Sequence, residues 1–462
     1  MRRGRVTGLA ILVCFLSFAA AAAGPLIELS AGEVLHDEEV RIVVAGCGPW
    51  QRVTLRLSSS FRGKPFVSEA AFISDVNGRV DVAARAPVAG SYSGVDPMGL
   101  FWSMREAPDA EPAETPPETQ PWEVPPPQVY ELTVVLDDKE VASETIKRVI
   151  VPEDMEVRRL NDGRLRGALF LPEGDGPHPA VLVLSGSGGG YLADISGMLA
   201  GRGFAALALA YFAAPDLPDQ LAEIPLEYFE EGLEWLAAVP EVDGQRIGVM
   251  GRSRGGELAL ILGSISPRIR AVVSVVPSHV MWGGCCDDES FAKAAWTRKG
   301  EPLPSMPETE TYRRAQRHWE PARGHLASTW LILANEAAEA QATIPVERIH
   351  GPVLLISGGD DQLWPTAYMA DRVMERLDAN DFPYPHVHLC YDSAGHAVGG
   401  GPYWPTARLV RVTHPVAKIE LLLGGTPEGL AHATLDSWRN ILAFLDHHLR
   451  EIASLNGAET AR

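Results

Sequence analysis

One stretch constrains this chain more than any other: Arg246-Ile-Gly-Val-Met-Gly-Arg-Ser-Arg-Gly-Gly256. An apolar run, Ile247 to Met250, feeds into Gly251-Arg-Ser-Arg-Gly255. The segment Glu257 to Leu262 follows and reads as the start of a buried helix. The glycines two before and two after Ser253 keep strand and helix from colliding. Such a turn holds the serine hydroxyl exposed above the end of a sheet. The next N–H, on Arg254, opens a helix and can face a developing oxyanion. G-x-S-x-G is common by chance, and a strand-to-helix turn of small residues is the plain alternative. The strand before it and the helix after it favour a nucleophilic Ser253.

At 462 residues the chain is too long for one ordinary core, so two domains are expected. A formal charge of -20 argues against a nucleic-acid partner, because nothing would neutralise phosphates. Any anionic substrate would have to be met by local cations. Met1-Arg-Arg-Gly-Arg5, an apolar run from Val6 to Phe18 and the small residues Ala19 to Ala23 form an export signal over 1–23, cut before Gly24. Cys14 follows Val13, where a lipoprotein signal wants a small residue, so lipidation is not expected. An uncleaved N-terminal anchor is the alternative. No later stretch reaches spanning length, so no stable membrane insertion is expected after cleavage. The expected location is periplasmic or secreted.

The remaining cysteines are Cys47, Cys285, Cys286 and Cys390. An exported chain can form disulfides. A bond between the adjacent Cys285 and Cys286 is disfavoured by strain. A bond from this pair to Cys390 or Cys47 is as easily expected as not. The spacing is wrong for zinc, and no metal or cofactor is expected.

From Pro25 to about Val151 short runs alternate apolar with polar: 40–44, 52–57, 79–83, 130–135 and 145–150. Turn signals separate them (Asn77-Gly78, Ala89-Gly90, Asp137-Asp138), which predicts a small β-sandwich over 24–152. Glu106 to Pro127 is rich in proline and acid and reads as a long solvated loop. From about Glu153 the rhythm changes. Continuous apolar runs such as 179–184, 204–210 and 271–276 alternate with helical segments such as 226–239. This predicts a doubly wound, mostly parallel α/β sheet over 153–450, with the site at the carboxyl ends of its strands. A stretch of about 283–342 breaks the rhythm. It is placed to be a lid or a substrate-selecting wall, unless it is an excursion without contact to the site. Residues 451–462 read as a tail.

A serine hydroxyl needs a base, and the base needs an orienting acid. The apolar run 352–356 leads into Ser357-Gly-Gly-Asp-Asp361, so Asp360 and Asp361 are the candidate acids. The last strand, 385–391, leads into Asp392-Ser-Ala-Gly-His396, a small-residue loop from which His396 can reach the serine. His386 and His388 alternate within that strand and read as ordinary strand residues. His432 heads the C-terminal helix. The loop Ser185-Gly-Ser-Gly-Gly-Gly-Tyr191 is the candidate for a second oxyanion donor, from the backbone of 186–188, with Ser187 and Gly188 foremost. No Lys-Ser/Thr follows its glycines, so it is not a phosphate-binding P-loop.

These residues, with others, resemble the acyl-CoA thioesterase / bile acid-CoA:amino acid N-acyltransferase family over nearly all of the mature chain. The N-terminal half carries Asp37-Glu-Glu-Val-Arg-Ile42 and Gly94-Val-Asp-Pro-Met-Gly-Leu-Phe-Trp102. The C-terminal half carries Gly201-Arg-Gly-Phe204, the Ser253 elbow, Ile344-Pro-Val-Glu-Arg348, Gly359-Asp-Asp361 with Trp364, and Gly395-His396 with Pro402-Tyr403. The resemblance implies an α/β-hydrolase fold behind an immunoglobulin-like sandwich. It implies a catalytic Ser253, His396 and, by alignment with the second aspartate, Asp361. A serine nucleophile favours hydrolysis over transfer to an amine. One feature departs from the family, whose members mostly work inside cells: residues 1–23 read as an export signal, and CoA thioesters are not expected outside the cytoplasm. The reading is a serine hydrolase of small-molecule acyl thioesters, acyl-CoA thioesterase-like, with an ordinary ester substrate, as for a carboxylesterase or dienelactone hydrolase, or acyl transfer to an amine, as the alternatives. A binding protein without catalysis is a third reading, which labelling of Ser253 would separate. Arg252 and Arg254 are candidates for holding an anionic head group, or for pairing with neighbouring acids.

Overall fold

The computed structural model describes residues 24–61, 63–107, 126–307 and 325–451. The segment read as an export signal, most of the acidic 106–127 loop, residues 308–324 of the insertion and the 452–462 tail lie outside them.

The N-terminal domain consists of two facing sheets. Leu26–Leu29, Ile42–Ala45 and Val80–Asp81 form the smaller. The larger is built on Lys64–Ile73, Arg52–Phe61, Gln128–Leu136 and Lys139–Val149, paired antiparallel in that spatial order. Alternation sets which side chains go in: Val53, Leu55 and Leu57 are fully buried, while Arg52 and Arg56 are not. Residues of both sheets share one core, with Ile27, Ile42 and Val44 from one and Leu55, Phe72 and Tyr130 from the other. The sequence reading missed Lys64–Ile73, the second arm of the longest hairpin, because its Pro65, Ser68 and Glu69 interrupt the apolar pattern.

The catalytic domain carries an eight-stranded sheet in the spatial order Glu156–Asp162, Leu165–Leu171, Ala205–Ala210, His178–Leu184, Val242–Arg252, Ile269–Val275, Val353–Gly358, His386–Tyr391. The six strands from Ala205–Ala210 onward run parallel. Ala205–Ala210 is buried at every residue, as strands covered on both faces must be. Two apolar cores flank the sheet, one containing Leu207, Val249 and Leu258, the other Val183, Met250 and Leu445. No helix among the described residues is long and apolar enough to cross a membrane.

The two domains meet through hydrogen-bonded charges centred on two acids, Asp37 and Asp96. Arg202 donates to both Asp37 oxygens at 2.8 and 2.9 Å, and Trp438 Nε1 donates to Asp37 Oδ2 at 2.9 Å. Asp96 accepts from Met98 N and Trp102 Nε1, both at 2.8 Å, and lies 3.1 Å from His432 Nε2 on the C-terminal helix Pro427–Asp446. The two N-terminal motifs thus have structural work: each supplies one acid that ties the sandwich to the hydrolase domain.

After Val275 the chain leaves the sheet and returns at Val353. The excursion contains Asp288–Phe291, Trp296–Arg298, Leu326–Leu333 and Glu336–Ala342. It forms a wall of the site, so the alternative of an excursion without contact is overturned.

Candidate active site

Ser253 sits between the strand Val242–Arg252 and the helix Arg254–Ile265, with φ 57° and ψ -121°. Few non-glycine residues adopt this conformation, and its cost is borne by the surrounding structure. Ser253 N donates to Val275 O at 2.9 Å, and Ser253 O accepts the first helical bond from Glu257 N at 3.0 Å. The flanking glycines are demanded by contact: a Cβ on Gly251 would stand 1.9 Å from Gly255 O, and one on Gly255 2.3 Å from Ser185 O. No side chain fits at either position.

His396 Nε2 lies 2.9 Å from Ser253 Oγ, and His396 Nδ1 lies 2.7 Å from Asp361 Oδ2. All three are buried, at 8 %, 5 % and 3 % exposure for Ser253, His396 and Asp361. Asp361 also accepts from Leu363 N (2.9 Å), Trp364 N (3.0 Å) and Thr366 Oγ1 (2.9 Å). These bonds fix the carboxylate in one orientation. Asp360 turns to Gln362 Nε2 and Gly425 N instead. The structure therefore brings Ser253, His396 and Asp361 together and leaves Asp360 outside. His386 and His388 stand elsewhere on the sheet edge, against Asp378 and Asp371, each at 2.9 Å.

Arg252 and Arg254 do not reach for a head group. Arg252 Nη2 donates to His396 O at 2.9 Å and so braces the histidine loop. Arg254 pairs with the fully buried Glu257 at 2.9 Å and donates to Gly283 O (2.8 Å) and Trp282 O (3.2 Å). Glu257 also accepts from Trp296 Nε1 (2.7 Å) and Trp282 N (3.2 Å). Burial pushes the Glu257 carboxyl up, against the pull of Arg254. This pair fastens the nucleophile helix to the wall.

The N–H of Arg254 opens the helix and belongs to its first turn, which has no intrahelical acceptors. Gly186 lies close by, where a Cβ would meet Ser253 Cβ at 3.1 Å. Ser187 lines the cavity beside Ser253. Gly188 faces Pro415 rather than the cavity. Ser187 Oγ lies 3.0 Å from His414 Nε2. His414 Nδ1 accepts from Ala417 N (2.9 Å) and Val416 N (3.3 Å), so Nε2 carries the proton and donates to Ser187. His414 belongs to a hairpin, Arg411–Thr413 with Glu420–Leu422, that the sequence reading missed.

The cavity beside Ser253 has a volume of about 160 Å3. Trp282, Phe291, Met306, Ile332, Trp364 and Leu421 make it apolar. Two histidines in its wall are held neutral: burial, then nearby His414, pushes His325 down to about 4, and burial, then Lys418, pushes His414 down. Cys285 and Cys286 also line it and are bonded to each other, while Cys47 and Cys390 are free. The pairing disfavoured on the sequence, between adjacent cysteines, is therefore the one that forms, and no bridge runs from this pair to Cys390 or Cys47. Cys285, Cys286 and His414 offer donor atoms within 4.8 Å of one another. They do not suit a metal: the sulfurs are joined, and His414 Nε2 holds the proton its other nitrogen cannot take.

A buried serine, histidine and carboxylate in line, beside helix-opening N–H groups and an apolar cavity, can carry out acyl transfer through a covalent acyl-serine. Comparisons with known proteins agree. Residues 37–162 match the family described as the acyl-CoA thioester hydrolase/BAAT N-terminal region, and 224–451 match the BAAT/acyl-CoA thioester hydrolase C-terminal region. Residues 135–292 also match a family described as FrsA-like esterase. The chain is 32 % identical over 433 residues to human mitochondrial acyl-coenzyme A thioesterase 2, covering 92 % of this chain and 85 % of that one. It is 32 % identical over 433 residues to human acyl-coenzyme A thioesterase 1, covering 92 % and 97 %. Against mouse acyl-coenzyme A thioesterase 1 it is 33 % identical over 431 residues, covering 91 % and 95 %. With both halves matched in order, the chain belongs to the acyl-CoA thioesterase / bile acid-CoA:amino acid N-acyltransferase family.

Proposed function

We propose that this protein is a serine hydrolase that cleaves acyl thioesters to a free acid and a thiol. The observation that carries the reading is the continuous line from Ser253 Oγ through His396 to Asp361. His396 Nε2 takes the Ser253 proton as Oγ attacks the acyl carbonyl. The N–H of Arg254, with that of Ser187, holds the oxyanion. The intermediate collapses, and the thiol leaves with the proton from His396. Water, deprotonated by His396, attacks the acyl-serine and releases the acid. Asp361 holds the Nδ1–H tautomer and stabilises the imidazolium without taking the proton. The mostly apolar lining of the cavity suits the hydrocarbon part of an acyl group.

A serine at the nucleophile position supports water rather than an amine as the acceptor. The facing sheets of the N-terminal domain support an immunoglobulin-like module, and residues 1–23 support export. That segment also gives the oxyester reading its one specific support, because CoA thioesters are intracellular. Matched thioester and oxyester substrates of one acyl chain decide between them: the thioester reading expects the higher kcat/KM on the thioester, and the reverse order overturns it. Ser253→Ala should abolish turnover and labelling by a fluorophosphonate. Intact turnover in that variant would remove the assignment.

A further inference from the structure

The mechanism above makes no use of the Cys285–Cys286 disulfide, although it lines the same cavity as Ser253. It also touches the loop beside the nucleophile: Cys286 Sγ lies 3.7 Å from Ser187 O. The pair is held in place. Leu221 and Cys285 exchange backbone hydrogen bonds of 2.8 Å in both directions, and Cys286 N donates to Gln220 Oε1 at 2.9 Å. The bridge is not sealed in the core, since both cysteines are partly accessible. Resting on the thioester reading, each turnover frees a thiol in a cavity whose wall is a disulfide. A thiolate is the species that attacks a disulfide sulfur, and access controls the rate. Cys47 and Cys390 are free thiols and cannot take up another thiol without an oxidant.

We propose that Cys285–Cys286 is a covalent capture site for the thiol leaving group. The product sulfur bonds to one sulfur of the pair as the Cys285–Cys286 bond breaks. The electron pair stays on the other cysteine as a thiolate, which takes up the proton lost by the product thiol. No outside oxidant is consumed. The captured thiol occupies the cavity and stops hydrolysis. The neighbouring cysteine, giving its proton up again, then attacks the mixed disulfide, re-forms the original bond and expels the thiol, which leaves with that proton. An alcohol released from an oxyester cannot do this, so the device reports specifically on thioester chemistry.

The test uses the full chain with its free thiols first blocked by iodoacetamide. Coenzyme A is then added, and newly freed thiols are trapped with N-ethylmaleimide. Peptide mass spectrometry should find coenzyme A on one of Cys285 and Cys286 and maleimide on the other. Ser253→Ala should give the same adduct, because exchange does not need the nucleophile. Failure of hydrolysis and failure of capture are thereby scored separately. Filling the cavity with a long-chain phosphonate on Ser253 should slow capture about tenfold or more, because access is lost. Coenzyme A should cause a time-dependent loss of hydrolysis that desulfo-coenzyme A does not. Absence of the adduct from both wild type and Ser253→Ala, capture unaffected by the phosphonate, or equal time-dependent loss with the desulfo compound would each overturn the proposal.

Discussion

Asp361 Oδ2 lies 2.7 Å from His396 Nδ1, while Asp360, the adjacent residue, points its carboxylate at Gly425 N 2.9 Å away. Two chemically identical neighbours thus have separate fates. Asp361→Asn should lower kcat by about 1,000- to 10,000-fold, because the amide cannot hold the histidine tautomer. Asp360→Asn should change kcat by less than about tenfold, since it touches only the loop. Steady-state kinetics on both variants, with circular dichroism to confirm folding, decides the matter. Equal losses would show that the acid has been misplaced.

The Arg254–Glu257 pair leads to a stability prediction. Glu257 is fully buried and meets Arg254 and two tryptophans, Trp282 and Trp296. Glu257→Gln keeps the volume but leaves the Arg254 charge unpaired. The expected cost is about 3–5 kcal/mol, as for other broken buried pairs. Urea unfolding should show a lower midpoint. KM should rise more than kcat falls, because the pair fastens the 282–283 wall and not the relay.

His325 predicts an acid limit. Its folded pKa is pushed down to about 4, below the ordinary value of 6.5, chiefly by burial in the cavity wall. The unfolded chain therefore binds its proton first as pH falls. The stability from the neutral histidine is complete above about 6.5 and is lost progressively down to about 4. The slope per fully titrating group is about 1.4 kcal/mol per pH unit. His325→Gln should flatten this part of the curve of unfolding free energy against pH. An unchanged slope would show that His325 does not titrate in this window.

Asp37 predicts a coupling between the domains. It receives Arg202 and Trp438 while remaining almost wholly buried. Asp37→Ala should cost about 1–3 kcal/mol, because Trp438 Nε1 loses its acceptor and Arg202 keeps only the exposed Glu38 as a partner. The kcat of the folded fraction should stay within about twofold, because no triad member touches the site. Thermal unfolding followed alongside activity would separate these outcomes.

Much of the fold was legible because burial on both faces leaves continuous apolar runs such as Ala205–Ala210. The nucleophile was legible because steric exclusion at Gly251 and Gly255 tolerates no other residue. His396 was legible from its place after the last strand. Other parts were not. Arg411–Thr413 and Glu420–Leu422 are three residues each, too short for periodicity to mark. Their His414 and Leu421 nevertheless reach the site. The arginines beside Ser253 were open to two readings, because a guanidinium serves a ligand or a buried carbonyl equally well. Only the positions of Glu257 and His396 O show which partners they take.

By itself the sequence determined the two-part architecture, the elbow, and the residue types and order of the relay. These follow from local sterics and from burial patterns that neighbouring residues share. Tertiary structure alone decided that Cys285 pairs with Cys286 and that Ser187 rather than Gly188 lines the cavity. Each depends on a direction or a distance set by segments far apart in the chain. Ser253 and His396 are 143 residues apart and meet at 2.9 Å only because parallel strands deliver both loops to the same edge of one sheet.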